Sequence, residues 1–294
     1  VVNVIILGKG FVGNHIFNIF KNDTNLHTIL VSREEVDYFN EIILKKFLRE
    51  LHCYPGSDIV FINCSGYTGR PNVDACESNK EMCVEYNTKL PVFLSNFCQK
   101  YKYYLINISS GCIYSGYEKE YTEEDVPNFG MYSNVSSFYS KTKHLAELLY
   151  TKTHSTILRI RMPFCSYSSE RSIINKIINY NNLVSFRNSL TSLDDLTVFI
   201  NKFIVNKFYK TKPDIYNVVN PGGIDAKEIV QLLSKNNIIN KNWKFVDIEN
   251  LQLKANRSNC VLSSQKIADL GLDLPPIHET LLTSIEKLSH EATF

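Results

Sequence analysis

The stretch VVNVIILGKGFVGNHIFNIFKND, residues 1–23, decides the fold. A short apolar run leads into Gly8, Gly10 and Gly13, and apolar residues then recur at Val12, Ile16, Ile19 and Phe20. Bounded apolar runs read as buried strands, whereas recurrence every three to four residues marks one face of a helix. The reading is strand, tight turn, helix. In that context GxGxxG is a dinucleotide signature: Gly8 permits the turn, Gly10 admits a pyrophosphate to the backbone, and Gly13 lets helix and strand pack closely. Lys9, Phe11 and Val12 complete the expected cofactor loop.

Working outward, LHTILVS follows about one helix later, and SDIVFINCSG and YYLINISSG supply further buried-strand candidates between helical stretches. Alternation of this kind predicts an α/β, Rossmann-like doubly wound parallel sheet. Past TILRIRMPF the elements shorten, and Asp225 with Glu228 in GGIDAKEIVQLL has the spacing of a capping box. Residues 1–165 are expected to form the cofactor domain, with 190–222 returning to it through DIYNVVN. Residues 166–189 and 223–294 are expected to form a smaller substrate lobe.

Composition narrows the partners. The 294 residues carry 32 basic and 30 acidic side chains, so neither a nucleic acid nor a membrane surface is advertised as a partner. No apolar run approaches the roughly 18 residues of a membrane-spanning helix. The eight cysteines, at 53, 64, 76, 83, 98, 112, 165 and 260, show neither CxxC nor zinc spacing and follow no secretory segment, so no metal site is expected. They read as reduced thiols of a cytoplasmic protein. Entry into the first strand at Val1, with no methionine ahead of it, is expected to reflect processing or truncation.

At the end of the second strand an NAD site usually presents an acidic residue to the ribose hydroxyls, but VSREE offers Ser32 and Arg33 there. A 2′-phosphate suits them, with Lys9 as a second cation, so NADPH is expected and NADH binds more weakly. Cys64, Ser65 and Gly66 end the third strand on the same cofactor side. The following loop brings Thr68, Arg70 and Asn72 to the carboxyl edge as candidates for sugar or nicotinamide contacts.

FYSKTKHLAELL carries Tyr139 and Lys143 one helical turn apart. An ammonium beside a phenol favours the ionised phenol, which predicts a lowered Tyr139 pKa. A glycine turn, a serine after the strand near residue 110 and YxxxK some thirty residues on together resemble the extended short-chain dehydrogenase/reductase family. The resemblance implies that Ser110 bonds the substrate carbonyl, Tyr139 supplies a proton as hydride arrives, and Lys143 holds the ribose and tunes Tyr139. GKGFVG is one residue shorter between its first two glycines than the usual extended pattern, a small change in turn geometry.

GYTGRPNVDACES, SGCIY, FYSKTK, LRIRMP and RSN are more particular. They resemble the bifunctional 3,5-epimerase/4-reductases of nucleotide-linked 4-keto-6-deoxyglucose, the terminal part of plant rhamnose synthases and a single-domain form in some large DNA viruses. The resemblance runs essentially end to end. It implies conversion of UDP-4-keto-6-deoxyglucose into UDP-L-rhamnose, downstream of a 4,6-dehydratase, in the cytoplasm (the host's, if the chain is viral). Relatives pair through the YxxxK helix, which implies a homodimer.

A C4 ketone acidifies the hydrogens on C3 and C5, and inversion there needs acid/base groups on opposite faces. Cys112 stands two residues after Ser110, the offset of the epimerising cysteine in GDP-fucose synthases, whose SCIYP stretch this resembles. The partner there is a histidine; here RSIINKIINY offers Lys176, as the plant-type enzymes do. Arg257 and Asn259 resemble the RSN segment that approaches the sugar nucleotide, where an arginine pairs with pyrophosphate. A 4-reductase of the dTDP-4-dehydrorhamnose type would need no acid/base at Cys112. A regulatory subunit that binds nucleotide without catalysis would need none of the triad.

Overall fold

The computed structural model describes residues 1–52, 58–239 and 241–291; Cys53 lies outside them. Among the described residues ten strands are formed: β1 (Val2–Leu7), β2 (Leu26–Val31), β3 (Ile59–Asn63), β4 (Tyr104–Ser110), β5 (Gly116–Tyr121), β6 (Ser155–Ile160), β7 (Asn182–Leu183), β8 (Ile215–Asn217), β9 (Lys244–Phe245) and β10 (Cys260–Leu262). Six of them make one sheet in the order β2-β1-β3-β4-β6-β8, every pair parallel. This is the doubly wound Rossmann-like sheet that the strand–helix alternation predicts. The strand order reverses direction at β1, so the crevice for a ligand opens beyond the carboxyl ends of β1 and β3.

The strands read as continuous apolar runs because both faces are covered. Val4, Ile6, Val60, Ile62, Ile106 and Leu158 face one layer that contains Ile16, Phe20, Leu196 and Phe203. Their neighbours Ile5, Leu7, Phe61 and Leu105 face the other, built from Leu44, Leu48, Leu90, Leu94 and Phe97. Full burial of each such side chain contributes roughly 1.5–3 kcal/mol. A third cluster joins Phe164, Ile174, Ile177, Leu183, Ile229, Leu233, Leu281 and Ile285. The Asp225–Glu228 capping box forms as its spacing predicts and starts the helix Ala226–Lys235.

Two features carry the sheet's rigidity to the crevice. Along the helix Phe138–Leu149, Glu147 accepts hydrogen bonds from Arg159 Nη2 at 2.7 Å and Arg159 Nε at 3.1 Å on β6. It accepts a third from Ser109 Oγ on β4 at 2.9 Å. Both members of this ion pair are 3% exposed, so the helix is fixed to the sheet through a dry contact. Separately, β10 runs parallel to β5 with Cys260 opposite Gly116, which brings residues 257–259 beside the turn that follows β4. Among the described residues no helix is long and apolar enough to cross a membrane.

Candidate active site

The glycine turn follows β1 directly. Gly8 has φ +107° and a Cβ on Gly13 would lie 2.0 Å from the Gly8 carbonyl oxygen, so neither position tolerates a side chain. Gly10 caps helix α1 (Phe11–Phe20) with no side-chain acceptor. A Cβ there would meet nothing within 4 Å. The first N–H groups of α1 therefore face open space at the positive end of a helix dipole, a cradle that fits a pyrophosphate. Phe11 and Val12 contribute backbone to this cradle while their side chains pack on the core.

At the end of β2, Lys9 pairs with Glu35 in a short ion pair, and the other Glu35 oxygen accepts the Ser32 N–H at 2.8 Å. Arg33 bonds Glu34 at 3.1 Å and lies over the Tyr86 ring, 4.7 Å from its centroid. The three groups expected to meet a 2′-phosphate do gather at one strand end, each already engaged by a carboxylate. Across the crevice, burial pushes the Cys64 thiol up to about 12. Ser65 forms a short hydrogen bond with Tyr38. Gly66 is hemmed in by Asn87 and the Lys143 ammonium, whose nitrogen would stand 3.4 Å from an added Cβ.

Ser110 is the last residue of β4 and only 6% exposed; its hydroxyl accepts the Cys112 N–H at 3.2 Å and lies near enough to the Tyr139 phenol to act on it. The Lys143 ammonium lies 5.8 Å from the Tyr139 ring centroid. The helix carrying both starts cleanly, because Ser137 Oγ accepts the Ser140 N–H at 3.1 Å and Glu77 accepts the Phe138 N–H at 2.7 Å. The expected lowering of Tyr139 is corrected: burial raises it above the ordinary tyrosine value, the nearby Cys112 adds to the rise, and the Ser110 hydroxyl opposes them. Burial likewise lowers Lys143. Desolvation is the largest influence at both groups, so the phenol holds its proton.

Cys112 is half-buried beside Ser110. Lys176 is half-buried on the short helix Ile173–Asn179, where burial first, then the charge of Arg171, lowers its pKa. Arg171 donates to the Gly69 carbonyl at 3.2 Å and comes within 3.5 Å of the Thr68 hydroxyl, tying this segment to the loop after β3. Arg70 and Asn72 line a cavity of about 410 Å³ with Asp74, Gln252 and Lys254, which none of Ser110, Cys112 or Tyr139 lines. Arg257 is engaged by Asp74 at 2.8 Å. Burial alone would raise Asp74, but Arg257 and the Ala255 N–H outweigh it and hold the carboxyl below its usual range. Asn259 accepts from Asn188 at 3.0 Å.

Three residues escaped the sequence reading. Asn87 brackets Tyr67, accepting its N–H at 2.9 Å and donating to its carbonyl at 2.8 Å, and so fixes the loop entry. Arg171 ties the Lys176 segment to that loop. Arg161, 1% exposed, points a guanidinium nitrogen at the Cys112 sulfur, 3.7 Å away. Only Arg161 left a trace in the sequence: two arginines in the apolar run TILRIRMPF are out of place unless buried with partners.

A parallel doubly wound sheet with a glycine turn after β1, and with a serine, tyrosine and lysine near its carboxyl edge, defines a Rossmann-like class of α/β fold. Within that class the chain belongs to the family described as the RmlD substrate binding domain, whose model matches residues 2–289. It is 34% identical to a bifunctional dTDP-4-dehydrorhamnose 3,5-epimerase/dTDP-4-dehydrorhamnose reductase of Arabidopsis thaliana, over 75% of this chain and 74% of that protein. It is 32% identical, over 75% of its length, to an Arabidopsis thaliana trifunctional UDP-glucose 4,6-dehydratase/UDP-4-keto-6-deoxy-D-glucose 3,5-epimerase/UDP-4-keto-L-rhamnose-reductase, of which the match spans 33%. The structure of the L780 UDP-rhamnose synthase of Acanthamoeba polyphaga mimivirus superposes with TM-score 0.85 at 27% identity, covering 97% of this chain and 99% of that one.

Proposed function

We propose that the protein converts UDP-4-keto-6-deoxy-D-glucose to UDP-L-rhamnose by epimerisation at C3 and C5 followed by NADPH-dependent reduction of the C4 ketone. The observation that carries this reading is the half-buried Cys112 side chain beside Ser110, with Tyr139 and Lys143 close by. The names of the relatives, which join an epimerase to a reductase, support it. Residues 166–189 and 223–294 would hold the sugar nucleotide, and a 4,6-dehydratase acting on a nucleotide-linked glucose would supply it.

The crevice fits NADPH, which when bound supplies the hydride for C4. Gly8, Gly10 and Gly13 leave room for its pyrophosphate on α1, while Lys9, Ser32 and Arg33 lie where a 2′-phosphate would fall. Lys143, beside Gly66, bonds the ribose. Ser110 donates a hydrogen bond to the ketone oxygen and stabilises the enolate formed when a flanking C–H loses its proton. Cys112 and Lys176 act as the acid/base pair on opposite faces of that enolate. Tyr139, whose proton burial retains, hands it to the C4 oxygen as the alcohol forms. Reduction comes last, because a C4 alcohol no longer acidifies its neighbours. Thr68, Arg70, Asn72 and Asn259 contact the sugar nucleotide, and Arg257 reaches its pyrophosphate only on leaving Asp74.

In deuterium oxide without NADPH, deuterium should enter C3 and C5 of UDP-4-keto-6-deoxy-D-glucose; an unlabelled sugar would reduce the function to 4-reduction alone. Tyr139→Phe should slow NADPH oxidation by at least the roughly 100-fold typical of a lost general acid, and unchanged turnover would favour a non-catalytic subunit. Leu148 and Leu149, 48% and 54% exposed at the end of the helix that carries Tyr139, favour a homodimer through that helix. Sizing should return twice the 33.8 kDa chain mass, and a monomer mass would refute it.

A further inference from the structure

Arg161 lies one residue beyond β6, beneath the candidate site, and its surroundings are unusual for a buried cation. Its Nη1 donates to Ser258 Oγ at 2.8 Å and the Gly111 carbonyl at 3.2 Å. Its Nη2 donates to the Ser258 carbonyl at 3.1 Å and to Asn188. Nε is buried with no partner. Every oxygen around it is neutral, and among the described residues no carboxylate forms an ion pair with it. A guanidinium keeps its charge at any physiological pH, and a buried charge is strongly unfavourable unless balanced.

Few groups nearby can supply the missing negative charge. Cys260, Cys112, Tyr117 and Tyr139 stand near Arg161, and negative charge on any of them would offset the burial that opposes its own charge. Cys260 is wholly buried, and burial raises its pKa, so it remains a thiol. Burial also raises Tyr117 and Tyr139, which keeps both phenols neutral. Lys143, the other charged group facing Cys112, is a cation lowered by burial. Cys112 alone combines contact with Arg161 and access to the pocket.

We infer that Arg161 is the counter-charge that meets the negative charge carried by the Cys112 sulfur during epimerisation, so that Cys112 is the proton-abstracting partner and Lys176 returns the proton. The inference rests on the two-activity reading above. In the step, the Cys112 sulfur takes a proton from C3 or C5, and the C–H electron pair becomes the enolate. The Lys176 ammonium then gives a proton to the opposite face of the carbon, leaving a thiol and a neutral amine. Exchange with solvent then takes the proton from the sulfur and returns one to the amine. Arg161 never touches the sugar; it is a positioning residue that acts through Cys112, and its loss should separate the two activities.

The test uses Arg161→Met and Arg161→Lys in the full chain. In Arg161→Met, deuterium incorporation at C3 and C5 should fall at least about 100-fold, while NADPH-dependent reduction of an already epimerised UDP-4-keto-L-rhamnose falls less than about fivefold. Iodoacetamide alkylation mapped to Cys112 by peptide mass spectrometry should slow at least about tenfold at neutral pH. Arg161→Lys, which restores a buried cation, should recover part of both. Equal losses of exchange and reduction, or unaltered alkylation, would make Arg161 a structural strut and overturn the inference. Should Arg161→Met not fold, Arg161→Lys carries the test, and parallel losses there overturn it equally. Wild-type protein that takes up no deuterium overturns the two-activity reading itself, whereas wild-type exchange that survives Arg161→Met overturns this inference alone.

Discussion

Glu35 holds two donors at once, the Lys9 ammonium and the Ser32 N–H. Those are the groups a 2′-phosphate needs, and a carboxylate there stands in for it electrostatically. For Glu35, bonding to Lys9 and then to Ser32 keeps the carboxyl below its usual range, so it is charged at neutral pH, and on the proposed reading it would yield its donors to the 2′-phosphate of NADPH. Glu35→Gln should therefore tighten NADPH several-fold and leave NADH nearly unaffected, read as two dissociation constants by fluorescence titration. Equal changes in both would mean that the 2′-phosphate lies elsewhere. Sequence alone revealed Lys9, Ser32 and Arg33 because the end of β2 sits at a fixed interval from the glycine turn. It did not reveal their engagement by Glu34 and Glu35, since any of several nearby acids could have turned inward.

The helix Phe138–Leu149 owes its place to one buried ion pair as much as to its apolar face. Glu147 receives Arg159 and Ser109 together, and Arg159 also donates to the Tyr114 hydroxyl at 3.0 Å. Burial works against the charge on Arg159, but Glu147 more than restores it. Removing one partner strands the other in a dry interior. Glu147→Ala should cost about 3–5 kcal/mol of stability, measurable by urea denaturation. A cost below about 1 kcal/mol would show that water reaches the pair. YxxxK was legible in the sequence because its members are one turn apart; the anchor was not, because Glu147 and Arg159 belong to different elements. Strand β5, GYEKEY, escaped notice for a different reason: its polar side chains largely face solvent, so it has no apolar run.

Across the whole molecule, legibility follows sequence distance. Strands β1, β2, β3 and β4 announce themselves because parallel strands covered on both faces are apolar throughout. The contacts that shape the pocket join residues far apart: Arg161 with Cys112, Arg171 with Gly69, Arg257 with Asp74. No periodicity encodes such pairs, and only packing reveals them. One of these closures also sets an order in time. Because β10 completes the wall next to Cys112 by pairing with β5, a ribosome has already made the glycine turn, the triad and most of the chain before that wall exists. Domains tend to fold from the N-terminus during synthesis. The emerging protein thus has its cofactor half in hand while still lacking Ser258, which bonds Arg161. The wall behind Cys112 is assembled last, and a message cut short before the codon for Arg257 would encode a half-built pocket.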